Sequence, residues 1–164
     1  MATATFVPIA TQTLGSAAAS ITFSSIPGTY TDLRLVLTCT TSVSDTVALQ
    51  FNSDTATNYS YTLIQGTGAV ANSGNNTSAT SAYIGSSAPT STTVPGMYSI
   101  DVFSYAGSTN KTLLVNAAID QNGSGDVTCA VCLWRSTSAI TAVKLLLTGG
   151  NNFATGTIAT LFGI

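Results

Sequence analysis

Apolar and polar residues alternate with a period of two over most of this chain. In YTDLRLVLTCT, Leu33, Leu35, Leu37 and Cys39 fall on one side and Asp32, Arg34 and Thr38 on the other. A β-strand points successive side chains to opposite faces, so this pattern predicts a half-buried strand. The same reading applies to TVALQFNS (Val47, Leu49, Phe51), NYSYTLIQ (Tyr59, Tyr61, Leu63) and MYSIDVFSY (Tyr98, Ile100, Val102). It applies again to KTLLVNAAI (Leu113, Val115, Ala117, Ile119), DVTCAVCLWR (Val127, Cys129, Val131, Leu133) and ITAVKLLL (Val143, Leu145, Leu147). TIATLFGI forms the last strand, and ASITFSSI and TSAYIGS read as weaker ones. Turn residues separate these runs at Pro27-Gly28, Asn52-Ser53-Asp54, Asn122-Gly123-Ser124-Gly125 and Gly149-Gly150-Asn151.

The pattern predicts an all-β protein of eight to ten strands in a two-sheet antiparallel sandwich with Greek-key connections, jelly-roll-like. An immunoglobulin-like sandwich is the alternative, but Cys39 and Trp134 do not follow its Cys-Trp-Cys order. The expected core is Leu35, Leu37, Leu49, Ile100, Val115, Val131 and Leu145. Residues 19–164 form one expected domain. Residues 66–96 are rich in Gly, Ser, Thr, Asn and Ala and read as long surface loops around one short strand. Residues 1–18 read as an uncharged N-terminal arm or edge strand. Its Phe6, Val7 and Ile9 require cover, and Pro8 suits an edge. Residues 3–10 then lie either against a neighbouring subunit or shell, or along the protein's own sheet.

Composition sharpens the picture. Only 6% of the 164 residues are charged, against a usual share of about 25%. The six acidic residues are all Asp, His is absent, and 49 residues are Ser or Thr. A surface with so few charges repels copies of itself weakly, which suits an assembly protein. Arg34, Lys111, Arg135 and Lys144 are scattered, so no basic stripe points to nucleic acid. The start, MATATFVPIATQTL, lacks a basic segment and a long apolar one, so neither a signal peptide nor a membrane span is expected.

Candidate chemistry is sparse. Without His there is no Ser-His or Cys-His pair, and the Asp residues sit in or beside turns; no catalytic residue and no cofactor is expected. Cys129 and Cys132 form a CxxC, but on a strand residues three apart face opposite sides, so the reading, with Cys39, is three buried free thiols in a reducing cytosol. Asp120 to Asp126 matches half of a calcium loop, yet Val131 stands where the bidentate Glu is needed; a hairpin turn accounts for the same residues, and no metal is expected. Trp134 falls opposite Val131 and Leu133, beside Arg135. It either projects outward as an anchor for an interface or a sugar, or caps the sandwich edge. Phe162 and Ile164 end an apolar strand that needs holding, by its own sheet or near a subunit contact.

Three stretches, ITFSSIPGTYTDLRLVL (21–37), FNSDTATNYSYTLIQG (51–66) and GGNNFATGTIATLFGI (149–164), resemble a group of small β-rich virion proteins of tailed bacteriophages. Its members are capsid decoration (cement) proteins and tail-fibre-associated domains. The resemblance covers residues 20–164 and implies a jelly-roll-like fold and a virion role. The expected function is a decoration protein on the capsid exterior, assembled in the host cytoplasm. It would form a homo-oligomer, most simply a trimer, and contact the major capsid protein, with no nucleic-acid or membrane partner. The alternative is a tail-fibre or receptor-binding subunit that recognises host surface glycans. The chain shows no heptads or repeats for a stalk, which favours decoration. Interface candidates are Phe6, Val7, Pro8, Ile9, Trp134, Phe162 and Ile164.

Overall fold

The computed structural model describes residues 5–41, 43–88 and 94–164. Parts of the expected arm and loop region, at 1–4 and 89–93, lie outside the described residues. The strands along the chain are β1 (Val7–Thr13), β2 (Ser20–Phe23), β3 (Leu33–Cys39), β4 (Asp45–Phe51), β5 (Tyr59–Gly66) and β6 (Ala71–Ala79). They continue as β7 (Ala82–Ala88), β8 (Gly96–Phe103), β9 (Lys111–Asp120), β10 (Gly125–Trp134), β11 (Val143–Leu147) and β12 (Ile158–Gly163). They form two antiparallel sheets. The larger runs β1-β12-β3-β8-β9-β10-β5-β6 and the smaller runs β2-β11-β4-β7.

The strand order is that of a jelly roll with an extension. β1 pairs with β12, β2 with β11, β3 with β8 and β4 with β7. These are the rungs of one long hairpin ribbon. Its halves wind together so that successive strands alternate between sheets, which yields the two Greek keys of this fold. The remaining four strands come from two hairpins, β5–β6 and β9–β10, and they lengthen the larger sheet beyond β8. The expected two-sheet antiparallel sandwich is present, with twelve strands among the described residues. The two strands beyond the expected number are β1, in the segment read as an arm or edge strand, and β6, which stands in residues 66–96 where a loop was expected; β7 is the short strand expected there. β6 carries no large apolar residue and is exposed almost throughout, so period-two patterning has nothing to mark there.

The core lies between the sheets. Leu35, Leu37, Leu49, Ile100, Val115 and Leu145 are all buried in it, as their spacing predicts. Leu35 sits opposite Leu161 on one side and Ile100 on the other, so one apolar row crosses three strands. Val131 is the exception. It is 47% exposed, and β10 buries the other set instead: Thr128, Ala130, Cys132 and Trp134. Two physical facts fix this phase. The β9–β10 hairpin places Ala130 opposite Val115 and Cys132 opposite Leu113, whose side chains point inward. Strand β7 also packs directly on β9 and β10. A Cβ at Gly85 of β7 would lie 2.6 Å from the Tyr98 ring and 3.2 Å from the Ala117 methyl. Backbone that close leaves room beneath β7 for small residues such as Thr128, Ala130 and Cys132, not for a row of valines.

The hairpin register comes from the turn. Asn122 and Gly123 have φ of 62° and 84°, and the Gln121 N–H donates to the Ser124 carbonyl at 3.2 Å. Two successive positive φ values in an Asn-Gly pair define the tight turn whose twist matches flanking strands. The Gly123 N–H donates to Asp120 Oδ1 at 2.8 Å. Asp120 is thus employed inside the turn, as expected of residues 120–126 read as a hairpin connection.

Candidate functional site

The outer face of the larger sheet is the distinctive surface. Side chains opposite the core project from it, and the strand registers align them in rows. One row crosses Thr38, Met97, Ala118, Val127, Gly66 and Ala71. The next crosses Val36, Ser99, Asn116, Cys129, Ile64 and Ser73. A third joins Leu114 and Val131. Met97, Val127 and Ile64 are 60%, 65% and 64% exposed, values unusual for residues of this size in a soluble fold. Val127 borders two shallow depressions, one shared with Val36 and Met97, the other with Ile64 and Ala71. The apolar surface is therefore continuous across β3, β8, β9, β10 and β5. Contiguous exposed apolar area marks an interaction site.

Charge enters this face at one margin. Arg34 donates to Asp101 through Nε at 2.6 Å and Nη2 at 2.7 Å, the salt bridge found among the described residues. The Arg34 guanidinium also lies 5.1 Å from the Phe6 ring centroid, and Phe6 meets Phe162 edge-on at 6.3 Å. Phe6 and Phe162 thus cluster around Arg34. Val7 pairs with Gly163 and Pro8 with Phe162, so β1 is an edge strand of the protein's own larger sheet. The register shifts between Pro8 and Ala10, and Ile9 at this irregularity is half-buried against the core. Ile164 is held by backbone bonds: its N–H donates to Asp32, and its carbonyl accepts from Thr31 and Asp32. Of the two readings of residues 3–10, the described part from Val7 on follows the one along the protein's own sheet, paired with β12.

Trp134 does not project outward. It is 2% exposed, tilted against Phe51 at 5.3 Å and stacked with Tyr59 at 6.4 Å. Its Nε1–H donates to Asp54 Oδ2 at 2.7 Å. Asp54 also accepts from Asn58 Nδ2 and the Ala56 N–H, both at 2.9 Å. A tryptophan beside an arginine looks solvent-facing in sequence. The Asp54 carboxylate satisfies its one polar atom and permits burial.

Asp45 and Lys111 hold turns and loops in place. Asp45 accepts from the Thr46 and Gly149 N–H groups at 2.7 and 2.8 Å, and from Asn151 Nδ2 at 2.9 Å. It thereby pins the turn after β11 to the start of β4. For Asp45 and Asp54 burial works against the charged form, but the donated hydrogen bonds outweigh it, and both pKa values fall below the ordinary one. Lys111 is fully buried, and its ammonium donates to the Gly107 and Thr109 carbonyls. The three cysteines are free. Cys132 faces inward and Cys129 outward, the alternation expected of CxxC on a strand, so Cys129 is half-buried rather than buried. Burial pushes the Cys39 and Cys132 thiols up to about 12, far from the thiolate needed for nucleophilic or metal chemistry. Among the described residues no group of three His, Cys, Asp or Glu side chains is placed to hold a metal ion.

The two aspartates carry a pH prediction. A carboxylate with a depressed folded pKa contributes stability in full above the unfolded value, about 3.9. That contribution is lost as pH falls through the folded pKa. Calorimetry is expected to show a Tm that is flat from neutral pH to about 5 and falls steeply below about 4. Asp45→Asn should lower the neutral Tm and flatten the acid limb. An acid limb unchanged in Asp45→Asn would remove this residue as its source.

No family model matches the chain, and no curated protein matches it. Among solved structures it is similar to the galectin LEC-6 of Caenorhabditis elegans. The identity is 10% and the TM-score 0.38, over 90% of this chain and 91% of that one. The jelly-roll assignment rests on the strand pairing described above.

Proposed function

We propose that this protein is a structural component of a self-assembling particle, and that the apolar outer face of the larger sheet is where copies of it meet. The observation that carries the reading is the pair of rows through Met97, Val127 and Ile64, exposed on rigid strands and nearly free of charge. Such a face offers no electrostatic code for a charged partner. A second surface of the same kind complements it, and another copy of the chain supplies one. The resemblance to tailed-phage virion proteins narrows the reading to a capsid decoration protein, an oligomer, most simply a trimer, that seats on the major capsid protein and bridges capsomers. The low overall charge supports assembly of this kind, because little repulsion must be overcome when copies crowd on a shell.

Sedimentation velocity tests the face. The wild type is expected to be oligomeric at micromolar concentration. The double variant Ile64→Asp with Val127→Asp is expected to be monomeric and still folded, with the wild-type circular dichroism spectrum, since both side chains project away from the core of the single chain; its Tm should fall only by what the association contributed. A monomeric wild type, or an oligomer indifferent to the two aspartates, overturns the assignment. Immunolabelling of intact virions tests the location. Label over the shell supports decoration; label at the tail tip, or none, overturns it.

A further inference from the structure

A second surface lies on the other side of β5. Tyr61 projects opposite to Thr62 and Ile64, away from the apolar face, and meets Tyr83 of β7 where the rims of the two sheets converge. The two rings stack with centroids 4.9 Å apart and planes 27° apart. They stand in a cleft of about 420 Å³, bordered further by Thr46, Asn76, Ser78 and Ser81. Small-ligand sites have volumes of about 300–1,000 Å³.

The chemistry of the lining selects a ligand class. No Lys, Arg or Asp borders the cleft, so neither an anion nor a cation finds a counter-charge. The wall is not an apolar pocket either. Asn76 Oδ1 accepts the Ser78 N–H at 2.9 Å, which fixes the amide and leaves its NH2 group to donate. The hydroxyl-bearing side chains of Thr46, Ser78, Thr80, Ser81 and Thr148 also line the cleft beside the rings. Neutral donors and acceptors next to a flat aromatic surface match a molecule with an apolar C–H face and a rim of hydroxyls. We infer that this cleft binds a neutral pyranose sugar, which packs on the outer face of the stacked Tyr61–Tyr83 pair while Asn76 bonds its hydroxyls. This goes beyond the assembly reading and uses a different surface, so each stands or falls alone. With no charged contact and few fixed donors, affinity for one sugar unit should be in the millimolar range.

The test is an NMR titration of the wild-type protein with glucose, galactose, mannose and N-acetylglucosamine, and with maltose and lactose. Sorbitol, which has the hydroxyls but no ring, serves as the control. At least one pyranose is expected to bind saturably and to shift the Tyr61, Tyr83 and Asn76 signals. Asn76→Ala should weaken that binding about tenfold or more, at unchanged Tm because Asn76 is exposed. Tyr83→Ala should abolish it, and the Ile64→Asp, Val127→Asp variant should bind as the wild type does. Failure of every pyranose to saturate, equal shifts with sorbitol, or unchanged binding in Asn76→Ala would overturn the inference.

Discussion

Trp134→Ala is expected to lower stability by about 3–5 kcal/mol, and Tm by on the order of 10 °C. The loss has two parts. The indole fills the space between Phe51 and Tyr59, and its removal leaves a cavity that two neighbouring strands cannot close by themselves. It also leaves Asp54 without its shortest hydrogen bond, in a site where Asn58 and Ala56 still hold the carboxylate. Trp134→Phe shifts the balance between the parts: it keeps an aromatic ring in the space but loses the donor and leaves a smaller cavity, for about 1–3 kcal/mol. Denaturant unfolding followed by circular dichroism measures both. As the single tryptophan of the chain, Trp134 also reports its own environment. Its emission should be blue-shifted in the native state and move to the red on unfolding. A native emission typical of solvent-exposed indole would refute the burial, and a Trp134→Ala variant with wild-type stability would refute the packing.

Leu35→Ala and Val131→Ala should behave as opposites although the sequence places both in the core. Leu35 packs in a row with Leu161 and Ile100, and its truncation should cost about 2–5 kcal/mol. Val131 stands on the outer face, so its truncation should stay within about 0.5 kcal/mol of the wild type. Equal losses at the two positions would mean that β10 presents its other face to the core. The same pair bears on assembly, because Val131 borders the face where copies meet and Leu35 does not.

Patterning reads correctly wherever one side of a strand is continuously apolar and the other only in places. In β3 every odd position from Leu33 to Cys39 is apolar, so a single phase is possible and the structure has it. The same holds for β8, β9 and β11, where Ile100, Val115 and Leu145 lie inside. β10 has apolar residues on both sides. Val127, Val131 and Leu133 compete there with Ala130, Cys132 and Trp134, and hydrophobicity counted by residue favours the wrong set. The exposed apolar face was missed for the same reason. Its residues come from five strands, each contributing one or two, and only strand order and register bring Val36, Met97, Val127 and Ile64 together. Tyr61 and Tyr83 are likewise unremarkable until β7 is folded against the extended sheet.

The sequence by itself determined the class of fold: alternation, turn residues and the scarcity of charged helix-formers leave little but an antiparallel sandwich. It also determined the Asn122-Gly123 turn, because an Asn-Gly pair adopts two successive positive φ values most readily. The tertiary structure alone decided which face of β10 is buried, whether Trp134 turns inward, and which exposed side chains form one surface. These depend on pairing between strands distant in sequence and on the space left beneath β7. A period of two along one strand fixes the alternation of its side chains but not which alternate set finds the core.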